Sequence, residues 1–105
     1  MSEWKKTTFD ISTPCGPRMT HGYVRDGIAV HRSIEGRAWN LTHLRSGAFF
    51  AHASTATKAK LIADAVLLRA PKFAKRGKFG THKGIPQLSI VRDVVADFRD
   101  KRVRK

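Results

Sequence analysis

The sequence is poor in acidic residues, in cysteine and in long apolar stretches, and each shortage excludes a class of protein. Eight Asp and Glu stand against 21 Lys and Arg in 105 residues, a formal net charge of +13. Asp64, Asp93, Asp97 and Asp100 fall among basic neighbours, so nothing resembles a paired-carboxylate site for general acid–base work. The single cysteine, Cys15, cannot close an internal disulfide, which fits a reducing compartment. It lies in a proline-rich stretch with no flanking base or orienting group, so nucleophilic catalysis is not indicated. No apolar run approaches the ~20 residues of a membrane span. The N-terminal region, with Glu3, Lys5 and Lys6, lacks the apolar core of a signal peptide. There is no internal repeat and no low-complexity segment. The expectation is one cytoplasmic domain without enzymatic activity, cofactor or membrane anchor.

What is present begins with a run of strand and turn signals. Asp26-Gly27 is a strong two-residue hairpin signal and pairs Arg25 with Ile28 and Tyr23 with Val30. Glu35-Gly36 joins Ile28–Ile34 to Arg37–Leu44, setting Arg32 opposite Trp39, Val30 opposite Leu41 and Ile28 opposite His43. A three-residue Arg45-Ser46-Gly47 loop, with Gly47 left-handed, pairs His43 with Phe49 and Leu41 with Ala51 in the strand Ala48–Ser54. A one-residue slip would flip every side chain, and this register gathers Tyr23, Ile28, Val30, Ile34, Trp39, Leu41, Phe49, Ala51 and Ala53 on one face. Arg32 then lies over Trp39 as a cation–π pair. The opposite face carries His31, Asn40, Thr42, Phe50 and His52 and is expected to be wet.

Around this meander, Trp4–Ile11 alternates as a fifth strand or an arm, and 12–17, with two prolines and a glycine, reads as a loop. A helix covers Ala56–Arg69, capped by Ser54 or Thr55, with Leu61, Ile62, Ala65, Val66 and Leu68 as its apolar stripe. Pro71 ends it. A second helix, Pro86–Arg102, buries Leu88, Val91, Val94, Val95 and Phe98. The fold class is α+β: a four- to five-stranded antiparallel meander packed on one face by two helices, with residues 71–85 a basic loop between them.

That loop carries Lys72, Lys75, Arg76, Lys78 and Lys83 with Phe73 and Phe79 interleaved. Flexible cations reach phosphates, glycines allow close backbone approach, and aromatic rings stack on unpaired bases. Arg102, Arg104 and Lys105 add cations at the C-terminal end. His31, Asn40, Thr42, Phe50 and His52 are candidates for specific contact, since a small sheet enters a major groove. His31 and His52 flank Asn40 with no carboxylate or cysteine beside them, and His21 and His82 lie elsewhere, so no metal set is indicated. The function expected is nucleic-acid binding, DNA favoured over RNA, by an accessory or regulatory protein. The alternative is a module or inhibitor, of the kind phages use in host takeover, that binds an acidic protein through Val24, Leu44 and Phe50. An exposed sheet edge leaves a homodimer open.

Overall fold

The computed structural model describes residues 3–33, 38–81 and 83–103, with side chains described as far as residue 98. Five strands, β1 Lys5–Thr13, β2 Gly16–Arg25, β3 Ile28–Arg32, β4 Trp39–His43 and β5 Ala48–Ala53, form one antiparallel sheet in sequential order. Two helices follow, α1 Ala56–Arg69 and α2 Leu88–Val103, with a short 3₁₀ turn at Phe73–Lys75 between them. The α+β class and the meander are as the turn chemistry implies. Arg25 pairs with Ile28, and Arg32 with Trp39, in the expected registers. The guanidinium of Arg32 sits 5.5 Å from the Trp39 ring centroid. The Glu35-Gly36 turn, with Ile34 and Arg37, lies outside the described residues.

The expected loop at 12–17 is instead a hairpin. β1 and β2 close over Pro14-Cys15, with Thr13 opposite Gly16. The Thr13 hydroxyl donates to the Gly16 carbonyl at 2.7 Å and accepts from the Cys15 N–H at 3.2 Å. Two prolines survive here for positional reasons. Pro14 occupies the turn, and at Pro17 β2 has only β1 as a neighbour because pairing with β3 begins at Tyr23.

β2 leaves β3 at Gly22, and the departure requires glycine. A Cβ there would lie 2.4 Å from the Val30 carbonyl oxygen and 2.8 Å from the His31 Cβ. The hairpin folds back over the face expected to be wet. Phe9 meets the His31 ring edge-on at 5.5 Å between centroids, and the Ser12 N–H donates to the Gly47 carbonyl at 2.8 Å. β3 is therefore buried on both sides: Ile28 and Val30 face the helices, while Ala29 and His31 are covered from the other side.

β4 and β5 bring the second correction. Leu41 pairs with Ala51 as expected, but Thr42 pairs with Phe49 and His43 with Ala48, so Phe50 is bulged out of register. The turn spans four residues, 44–47, rather than three. The bulge reverses the two phenylalanines: Phe50 packs edge-on against Phe73 at 5.0 Å, while Phe49 is 62% exposed on the opposite face. The gain is a second aromatic ring packed against the core.

On α1, the Thr55 hydroxyl caps the Lys58 N–H at 3.1 Å. The buried face is Ala59, Ile62, Ala63 and Val66, whereas Leu61 and Leu68 are 54% and 81% exposed. The expected stripe was rotated, because alanines at 59 and 63 let the helix backbone approach the sheet closely. Arg25 forms an ion pair with Asp64 that ties β2 to α1. α2 packs chiefly on α1 and contributes Val91, Val94 and Val95 to the common core. Pro86 stands two residues ahead of α2 rather than in its first turn, because Gln87 adopts a left-handed conformation, φ +59°.

Two substitutions test this packing by urea unfolding. Gly22→Ala is expected to cost about 1–3 kcal/mol by forcing β2 off β3. Leu68→Gln is expected to change stability by no more than about 0.5 kcal/mol, since its side chain is outside the core.

Candidate nucleic-acid interface

As far as Thr81 the basic loop is held down at several points rather than a loose tether. His43, at the end of β4, is buried and donates from Nε2 to the Phe73 carbonyl at 2.8 Å. Its Nδ1 accepts from the Ser46 N–H at 3.2 Å and lies 2.8 Å from Ser46 Oγ. These partners assign the neutral Nε2–H tautomer. The Gly80 N–H donates to the Ser46 carbonyl at 2.9 Å, and the Lys72 N–H to Gln87 Oε1 at 2.8 Å. Gly77 leaves room for the imidazole, since a Cβ there would lie 2.5 Å from His43 Cε1. Phe79 lies across Gly47, where a Cβ would come within 2.4 Å of its ring.

This anchoring sorts the loop residues. Phe73 is wholly buried, its ring 4.7 Å from that of His43, and serves the core rather than a stacking role. Phe79 is 41% exposed. Lys72, Lys75, Arg76, Lys78 and Lys83 are all exposed. No Asp or Glu occurs in the sequence between Asp64 and Asp93, while Arg69, Lys72, Lys75, Arg76, Lys78, Lys83 and Arg92 do. The segment itself carries formal charge of one sign, and of its cations Arg69 is paired with Asp97 of α2 at 3.7 Å. His82, Arg104, Lys105 and the side chain of Arg102 lie outside the described residues.

The sheet-face candidates divide. His31 and Thr42 are 2% and 1% exposed and bonded to each other, Nε2 to Oγ1, at 2.7 Å. His31 donates its Nδ1–H to the Arg32 carbonyl at 3.0 Å, which leaves Nε2 to accept from the Thr42 hydroxyl. Both are structural, because the β1–β2 hairpin covers them. Phe50 is lost to the core through the bulge. Asn40 is half-buried and His52 exposed, so these two remain accessible, and Phe49 takes the place expected of Phe50. A sheet face so covered cannot enter a major groove. The apolar trio Val24, Leu44 and Phe50 does not form a surface patch either, since all three are half-buried and Phe50 points to Phe73.

Between the hairpin turn and the sheet lies a cleft of about 440 Å³, walled by Phe49, Pro14 and Ile11, with Asn40, Thr42 and His52 on its sheet side. A smaller cleft of about 300 Å³ shares Ser12, Thr13, Pro14 and Phe49 with it and reaches Gly80 and Thr81 of the loop. A third cleft, about 540 Å³, is cationic and aromatic: Lys6, Arg18, His21 and Arg32 line it with Tyr23 and Trp39. Sequence reasoning missed it because it exists only once the β1–β2 hairpin forms and sets Lys6 opposite Tyr23. Lys60 of α1, outside the cleft lining, lies 3.9 Å from the Tyr23 ring centroid.

No family model matches the chain, and comparison with curated proteins and with solved structures likewise finds no match. No helix is long and apolar enough to cross a membrane among the described residues. The class defined by the geometry is a small α+β domain that presents an anchored basic loop beside a partly apolar cleft.

Burial lowers the pKa of His43, only partly opposed by the Phe73 and Arg76 carbonyls, and nearby Arg45 lowers it further. Burial likewise lowers that of His31, against the Arg32 carbonyl. Both rings bind protons less readily folded than unfolded, so their contribution is full above pH ~6.5 and is lost as pH falls below it. Urea midpoints are expected to drop between pH 7 and pH 5, and to drop less in His43→Gln. His43→Ala is expected to cost about 1–3 kcal/mol at pH 7, by orphaning the Phe73 carbonyl and the Ser46 N–H.

Proposed function

We propose that this protein binds nucleic acid through the 72–83 loop, in an accessory or regulatory role and without catalysis. One observation carries the reading: five exposed cations, Lys72, Lys75, Arg76, Lys78 and Lys83, sit on a loop whose backbone is anchored to His43, Ser46 and Gln87. A protein that only needed solubility would not require such a loop to be ordered. Ordering it in advance removes part of the entropy cost of gripping a phosphate chain. Phosphates are common to DNA and RNA, and cations held at fixed spacing meet them without reading sequence. The acid-free segment from 65 to 92 supports the same partner, since any carboxylate there would repel it.

Fluorescence anisotropy with labelled duplex DNA, single-stranded DNA and RNA across a salt series tests this. Binding is expected at low salt and should weaken linearly on a log–log plot. Changing Lys75, Arg76 and Lys78 together to Glu should remove most of the affinity and flatten the slope by about 0.7–0.9 per lost phosphate contact. Binding that persists unchanged at high salt, or is untouched by the triple reversal, would sink the loop as the interface.

A further inference from the structure

We infer that the cleft between the β1–β2 turn and the sheet seats one unpaired nucleobase of a strand whose phosphates lie on the basic loop. The inference rests on the nucleic-acid reading above and adds what part of the ligand is recognised beyond its charge. Its first support is Phe49. The bulge at Phe50 places this ring in the wall of the 440 Å³ cleft and leaves it 62% exposed, a large apolar surface without a core role. An exposed aromatic face offers a base a surface to stack on, and stacking tolerates any base because each has a π-face.

The second support is the distribution of polarity. Phe49, Pro14 and Ile11 supply apolar walls, Ser12 and Thr13 add polar atoms on the hairpin side, and the remaining polar groups stand on the sheet side, a mixture suited to a flat heteroaromatic ligand. There His31 and Thr42 satisfy each other, so that part of the floor makes no demand on a ligand. Asn40 and His52, paired across β4 and β5, are accessible beside them. The Asn40 amide both donates and accepts, as the edge of a base does.

Continuity with the loop is the third support. The neighbouring cleft shares Phe49 and the 12–14 turn and extends to Gly80 and Thr81, so a strand on the loop cations has a lined path to Phe49. No Asp or Glu lines either cleft among the described residues. A base still paired in a duplex would be out of reach, because the β1–β2 hairpin covers this face. The ligand class is therefore a single strand, a loop or an extruded base.

Anisotropy with three labelled strands of equal length tests the inference: single-stranded DNA of mixed bases, the same backbone with abasic sites throughout, and duplex. The base-bearing strand is expected to bind roughly 5- to 150-fold more tightly than the abasic one. The salt slopes of the two should match, since their phosphates are the same. Phe49→Ala should erase that difference while leaving abasic binding unchanged, and Phe49→Leu, which keeps apolar bulk, should still lose most of it. Circular dichroism confirms that each variant is folded. Equal binding of base-bearing and abasic strands, or a preference that survives Phe49→Ala, overturns the base seat and leaves the loop reading intact. Absence of binding by all three strands at low salt overturns both.

Discussion

Most of what is distinctive here depends on one buried imidazole. His43 ends β4 with both ring nitrogens committed, one to the Phe73 carbonyl and the other to Ser46. A buried polar group is tolerable only when satisfied, and this one satisfies itself by joining two segments thirty residues apart. Through it the β4–β5 turn, the 3₁₀ turn and the basic loop become one unit. Phe73 is brought against both His43 and Phe50, and Gly80 is brought to Ser46. A stretch composed of lysine, glycine and phenylalanine, which alone would be a flexible tether, is in this way given a fixed course.

The second organising element is the bend at Gly22. By letting β2 pass close over β3, it turns a flat meander into a sheet covered on both sides. Helices cover one side and the β1–β2 hairpin covers the other. Residues on a mixed polar face then acquire different fates. His31 and Thr42 become a closed internal pair, while Asn40, His52 and Phe49 border a cleft at the margin of the cover. Concavity arises from the fold-back itself, and all three clefts border the hairpin.

Much of this was legible from residues in order. Asp26-Gly27 stated its hairpin directly, and the alternation of Ile28, Val30, Trp39 and Leu41 stated which residues share a face, because a tight turn leaves one register that keeps apolar residues together. Thr55 and Pro71 bounded α1. The β4–β5 bulge was not legible, since Phe49 and Phe50 are chemically identical and both registers bury one of them. The outcome turned on Phe73, a partner distant in sequence. The same holds for α1, where Leu61 and Leu68 outrank Ala59 and Ala63 in hydrophobicity yet lost the core to them. Close packing on a sheet rewards small volume, which a hydrophobic stripe does not record. Pro14 and Pro17 read as a loop because no local rule shows that β2 lacks a second neighbour there.

The sequence by itself determined the α+β class, the registers of β2 on β3 and of β3 on β4, the positions of both helices and the excess of positive charge, all of which follow from nearest-neighbour chemistry and composition. Tertiary structure alone decided which phenylalanine faces outward, that the second face is covered, and that the basic loop has a fixed course. Those three depend on contacts between segments distant along the chain, Phe50 with Phe73, Phe9 with His31 and His43 with Phe73. Pairings of that kind are set by geometry in three dimensions, and no periodicity encodes them.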